Sequence, residues 1–308
     1  MRKPLQIPAS LSNCHISERS AYLDSLVQIS SDKYVYDTTN ASQILNNRFS
    51  NRSIILMRDL NLYSLLTEFT RQEQKNKNTP SNPDFLYLKQ EISQRLLIAE
   101  SDISTNLAEL ECEKTRINAA SSYLADYNQT RINRATMGAI LSGVISGVLT
   151  GAVALYNPDS SNTQQQVLTI AGAVAGGYFG VKAFGTKRKI NFLHARNHLK
   201  EIWEKREYSQ NFSPSIWIFM RKEFRSKGKT TNGLDMIINS WKAEGILDES
   251  AKNYQKKINL LIKSNGGAYS SSDLQDRLNM LVVIQQEIDV MKYDLKRVQQ
   301  EILLGYKL

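Results

Sequence analysis

The sequence predicts an all-α protein, with long helices and coiled coil flanking a central transmembrane helical hairpin. Two apolar runs predict the hairpin: Met137–Tyr156 and Val167–Gly185, separated by a polar turn from Asn157 to Gln166. An apolar stripe at spacings of three, four or seven predicts one long helix from Phe85 onward. A heptad near the C-terminus predicts another, and alternating strand patterns are scarce.

Residues 1–84 read as a small polar helical region with a linker. Ala21, Leu23, Leu26 and Val27 suit a short amphipathic helix over Ser17–Ile29. A second is predicted over Ile54–Phe69, from Ile54, Ile55, Leu56, Leu60, Leu62, Leu65 and Leu66. The stretch 72–84 is a linker by composition, with Pro80 and Pro83 as breakers. Met1-Arg2-Lys3 resembles the charged start of a signal peptide, but Pro4–Asn13 has no apolar core. Leu11-Ser12-Asn13-Cys14 has the cysteine of a lipobox without the apolar segment before it.

Residues 85–136 form the long amphipathic helix. Phe85, Leu88, Ile92, Leu96, Ala99, Ile103, Leu107, Leu110, Ile117 and Leu124 make one stripe, and neither proline nor glycine interrupts it before Gly138. Continued into the first apolar run, the helix spans on the order of 70 residues, or about 100 Å.

Residues 137–185 form the hairpin. Gly143, Gly147 and Gly151 in the first run, and Gly172, Gly176 and Gly180 in the second, recur every fourth residue. That spacing places each triplet on one helix face, where backbones pack closely. The first run has 20 uncharged residues, about 30 Å of helix. Arg131 and Arg134 precede it, and Lys182, Lys187, Arg188 and Lys189 close the second, while the turn holds only Asp159. The positive-inside rule then keeps both flanks cytoplasmic; with the resemblance to envelope hairpins given below, the expected location is a bacterial inner membrane. A missing signal peptide would make the location periplasmic or secreted instead. Lys182 shortens the second span and must snorkel to the surface.

Residues 186–270 are a basic helical region. Phe192, Leu193, Leu199, Ile202 and Trp203 predict a helix over Ile190–Tyr208, broken at Ser213-Pro214-Ser215. Trp217, Phe219, Met220, Phe224, Met236, Ile237, Ile238 and Trp241 form a small core, and a helix over Asp248–Lys263 stops at Asn265-Gly266-Gly267. In 271–308, Ser271-Ser272-Asp273 caps a helix with the seam Leu281, Ile284, Ile288, Met291, Leu295, Val298 and Ile302, extended upstream by Leu274. Pairing within the chain is the simpler use of this seam, and pairing with a second copy stays open.

The hairpin resembles the two-helix glycine-zipper membrane hairpins of bacterial envelope proteins, over residues 137–185 only. In layout the chain is also similar to helical pore-forming toxins of the cytolysin A type, in which an Ala/Gly-rich hairpin is stored against long helices. The first resemblance implies self-association in a membrane; the second implies release onto one.

The 308 residues carry a net charge of +9, which favours anionic partners. The basic residues flank the apolar runs, which points to membrane lipids and away from nucleic acid. Cys14 and Cys112 are too few for a disulfide framework and leave a reducing compartment or a single bridge. Gly228-Lys229-Thr230 fails as a phosphate loop because Glu223 stands where a glycine is needed, and Thr186-Lys187 after Gly180–Gly185 reverses the required order. His194 and His198, four apart on a predicted helix, read as surface histidines and not as a metal pair. Glu111 and Glu113 disfavour a Cys112 thiolate. No catalytic residue, metal or cofactor is expected, and the chain is not expected to be an enzyme. The expectation is an integral membrane scaffold or subunit. It would form a homo-oligomer through the zipper and bind a protein partner through coiled-coil helices. An oligomeric pore former and a soluble helical interaction protein are the alternatives.

Overall fold

The computed structural model describes residues 4–6, 40–75, 82–156, 188–194, 196–226 and 229–305; the side chains of 131–132, 134–156, 225, 226 and 229 are excepted. In chain order the elements are β1 (Leu5–Gln6), α1 (Ala41–Asn46), α2 (Asn51–Asp59), α3 (Tyr63–Lys75) and α4 (Pro83–Tyr156). After them come β2 (Ile190–Leu193), α5 (His198–Glu204), α6 (Pro214–Arg221), β3 (Phe224–Ser226), β4 (Lys229–Thr231) and α7 (Gly233–Ala243). α8 (Tyr254–Ile258) runs into a π-helical turn (Asn259–Lys263), and β5 (Gly266–Tyr269) and α9 (Ser271–Leu304) complete the chain. The molecule is mostly helical, as the periodicity predicts, with two small sheets that the sequence reading missed.

α4 is one continuous helix of 74 residues. Pro83 opens it instead of breaking it. Asn82 Oδ1 accepts the Asp84 amide at 2.9 Å, and proline at the first helical position lacks only an N–H that would have no helical partner. The predicted helix over Ile54–Phe69 is in fact two. Asn61, at φ 56°, ends α2 in a left-handed cap. The Leu62 amide reaches the Met57 carbonyl at 2.7 Å, and the Asn61 amide reaches Arg58 at 3.0 Å.

The predicted helix over Ile190–Tyr208 holds only in part: α5 covers His198–Glu204. Its first residues form β2, with Ile190 and Phe192 buried and Leu193 exposed, the period of two that a half-buried strand requires. The C-terminal cap sits one residue earlier than predicted. Ser270 Oγ accepts the Asp273 amide at 3.2 Å, and Asp273 Oδ2 accepts the Ser270 amide at 2.9 Å.

The chain divides into two compact units. The first holds Met1–Ser12, Ile117–Phe192 and Gly267–Gln275. In it β1 runs parallel to β2, with Leu5 opposite Ile190, in a sheet ordered β1-β2-β5. Phe192 meets Tyr269 edge-on at 6.0 Å.

The second unit holds Asn13–Arg116, Leu193–Gly266 and Asp276–Leu308. Its core joins α1–α3, the 83–116 part of α4, α5–α7 and the greater part of α9. Leu281, Ile284, Ile288, Met291, Leu295, Val298 and Ile302 are all buried, as are Leu88, Ile92, Leu96, Ala99, Ile103 and Leu110. Lys114 bonds Gln285 at 2.7 Å and Gln299 bonds Glu100 at 3.5 Å, so here α4 and α9 run antiparallel. The heptad seam therefore packs within the chain. Trp217, Met220, Ile237, Ile238 and Trp241 form the expected core, while Phe224 and Met236 stay exposed.

Among the described residues, no helix is long and apolar enough to cross a membrane. That overturns the integral membrane scaffold, the transmembrane hairpin, the pore-forming alternative and the inner-membrane location. Residues 137–156 are not a free-standing span but the last turns of α4, and half of them are Gly, Ala, Ser or Thr. Gly143, Gly147 and Gly151 lie in this helix, as do Arg131 and Arg134, whose side chains are outside the description. Gly172, Gly176, Gly180, Lys182, Lys187, the hairpin turn and the Ser17–Ile29 helix lie outside the described residues. Arg188 is held within its own unit: its amide donates to Asn128 Oδ1 at 2.9 Å and its guanidinium lies over Tyr127 at 5.5 Å.

Candidate functional site

The densest chemistry in the second unit is a buried cluster of charges. Glu109, Glu113 and Arg116 lie along one side of α4, four and three residues apart. His194, Arg196 and His198 come from the connection between β2 and α5 and its first residue, and Arg277 comes from α9. Both histidines are buried, which corrects their reading as surface residues. Nor do they share a helix, since His194 precedes α5.

The cluster has two centres. Arg116 Nη1 donates to Glu113 Oε2 at 2.8 Å, His194 Nδ1 approaches Oε1 at 3.4 Å, and Arg277 Nη2 lies 3.7 Å from the same oxygen. One turn earlier, Arg196 Nη1 donates to Glu109 Oε2 at 2.9 Å, with His198 Nε2 at 3.8 Å. The arginines also hold backbone. Arg116 Nη2 donates to the Leu193 carbonyl at 2.9 Å, and Arg277 Nη1 to the Leu261 carbonyl. Asn197 Nδ2 donates to the carbonyls of Ile262 and Ser264 at 2.6 and 2.9 Å.

Burial pushes the His194 ring down to about 4, with the nearby Arg277 charge acting in the same direction. Burial works to raise Glu113. The His194 hydrogen bond and the charges of Arg277 and Arg116 outweigh it and hold the carboxyl below its ordinary value. At neutral pH His194 is therefore neutral, with the proton on Nδ1 facing the Glu113 carboxylate. A histidine beside a carboxylate has the makings of a general base, but the His194 side chain is fully buried and the carboxylate it meets is already paired with Arg116 and Arg277. The arrangement joins α4, the β2–α5 connection, the π-helical turn and α9. Among the described residues, no group of three or more His, Cys, Asp and Glu is placed to hold a metal ion. Cys112, between the two glutamates, is disulfide-bonded, and the only other cysteine, Cys14, is outside the described residues.

The sequence carried a signal for this cluster. Ile103, Leu110, Ile117 and Leu124 recur every seven residues, and so do Ile92, Ala99, Asn106, Glu113 and Ala120. Glu113 thus stands where the seam calls for an apolar residue. On α9, Arg277 precedes Ile284, Met291 and Val298 at the same interval. Each seam has a charge in register, and the two meet.

A second feature lies between the same helices, a groove of about 560 Å³. Leu295 is its buried floor; Glu100, Asp289, Lys292, Tyr293 and Lys296 are among its walls.

Fold and site together define a helical protein whose paired long helices are fixed by buried ions. No family model, curated protein or solved structure matches the chain.

Proposed function

We propose that the chain is a helical interaction protein, acting by binding other proteins and not by catalysis. The observation that carries this reading is the apolar surface left on α4 and α9 once their common seam is buried. Leu86, Tyr87, Leu97 and Ile98 on α4, and Tyr293, Leu303 and Leu304 on α9, remain exposed. Large apolar side chains left open on rigid helices are the usual anchors of a protein interface.

The reading is tested by cross-linking the tagged full chain in its native cell, followed by mass spectrometry. Cross-links that converge on exposed faces of α4 or α9 support it. A chain that cross-links to no protein, or only through residues remote from both helices, sinks it.

A further inference from the structure

We infer that α2, the C-terminal end of α6 and the start of β3 form a surface that binds the headgroup face of an anionic phospholipid bilayer, with no helix crossing it. The inference goes beyond the interaction-protein reading and rests on different elements.

Charge comes first. From Arg221 to Thr231 the chain carries five cations, Arg221, Lys222, Arg225, Lys227 and Lys229, against one carboxylate, Glu223. The run leaves α6 and enters the β3–β4 pair, in which Phe224 stands opposite Thr231. α2 adds Arg52 and Arg58.

Packing then joins the two elements. Lys222, the residue after α6, donates to the Asp59 carboxylate on α2, and its ammonium lies 3.5 Å from the Ile55 carbonyl. Arg52, Ile55 and Arg58 recur every third residue and are all exposed, while Ser53, Ile54, Leu56 and Met57 are buried. On α6, Ile218 and Arg221 make the matching outward line, and Ile216, Trp217 and Met220 are buried. Ile55, Ile218 and Phe224 are 43%, 50% and 40% exposed, and each is three residues from an exposed arginine. Nearby acids do not cancel the charge. Asp59 is taken up by Lys222, and Asp294, 3.7 Å from Arg52, leaves that arginine 63% exposed. Glu207, whose carbonyl accepts from Arg221, and Glu223 are exposed carboxylates beside the patch, and the cations outnumber them.

The mixture selects the occupant. A nucleic acid offers phosphates to the arginines but nothing to two exposed isoleucines. A bilayer surface offers both, anionic headgroups for the cations and acyl chains just beneath for Ile55, Ile218 and Phe224. Long arginine stems can stay at the headgroup level while the shorter apolar side chains enter. Each cation held at such a surface adds about fivefold in affinity, within a Debye length of it.

The test is co-sedimentation of the full chain with vesicles of phosphatidylcholine alone or mixed with phosphatidylserine. Binding to the mixed vesicles is expected to be at least about tenfold tighter, and to weaken as salt is raised. Arg58→Glu with Arg221→Glu should reduce it by about twentyfold or more, and Ile218→Ser with Phe224→Ser by about tenfold. Lys292→Glu with Lys296→Glu alters net charge by the same amount as the arginine pair but away from the patch, and should bind within about threefold of the native chain. Circular dichroism checks that each variant is folded. Arg221→Gln, with an expected loss of about fivefold, replaces the double arginine variant if that does not fold.

No preference for the mixed vesicles, indifference to the serine pair, or an equal loss from the Lys292 and Lys296 pair would overturn the proposal. So would binding of a single-stranded oligonucleotide with none to vesicles, since a nucleic acid would then be the occupant. Failure with vesicles leaves the cross-linking test of α4 and α9 untouched.

Discussion

The two ends of α9 use charge in opposite ways. Near its start Arg277 is fully buried, placed against Glu113 and bonded to the Leu261 carbonyl. Two to three turns before its end Lys292 and Lys296 stand exposed on the wall of a groove. Both sites lie on one helix and face the same neighbour, α4. A charge in the seam determines which partner residue it must meet, because desolvating it is costly unless that residue is present. A charge on the wall costs almost nothing to keep and remains free to meet another molecule. The first fixes the pairing of α4 with α9; the second leaves that pair something to offer.

The sharpest way to break this contrast is at the buried end. Arg277→Met should destabilise the fold by about 3 kcal/mol or more, because Glu113 loses a compensating charge in a dry site. Urea denaturation measures it, and a loss near that of a surface substitution would show that the seam charges do not fix the pairing.

The pH dependence gives a second probe of comparable size. The His194 ring titrates near 4 in the folded chain against 6.5 unfolded. The unfolded chain therefore binds the proton more readily, and stability falls as pH drops from about 6.5 through 4. The full loss is about 3 kcal/mol from this residue. Glu113, held low in the fold, loses its own contribution in the same direction at lower pH. His194→Gln should flatten the upper part of the fall while leaving the part due to the carboxylates. An unchanged curve would place the acid sensitivity elsewhere.

Smaller effects mark the limits of the comparison. Asn61→Ala should cost about 1 kcal/mol, since a left-handed cap tolerates asparagine or glycine far better than alanine, and Asn61→Gly should be near neutral. Differential scanning calorimetry resolves the two. Lys292→Ala with Lys296→Ala should shift stability by less than about 0.5 kcal/mol. A larger loss would mean that these lysines support the fold and are not held in reserve.

Much of the fold was legible in the chain. The long helix from Pro83, the buried seam of α9 and the aromatic core around Trp217 and Trp241 follow from apolar spacing alone. The clues that were misread are local. Pro83 looked like a breaker because the Asn82 cap beside it went unrecognised. Ile190–Leu193 looked helical because four residues are too few to separate a period of two from one of 3.6. His194 and His198 looked like surface residues because nothing in their neighbourhood shows the distant Glu109 and Glu113. The seam breaks at Glu113 and Arg277 were visible as interruptions but passed over, since each alone reads as a stray charge.

By itself, then, the sequence determined the helices, their apolar faces and the two charges set into those faces. Periodicity and capping act between residues close in the chain, so they survive in one dimension. The pairing of α4 with α9, the burial of the histidines and the groove left open beside Leu295 were decided only by tertiary structure. Each depends on residues roughly 80 to 200 positions apart, and desolvation becomes a force only when such residues meet.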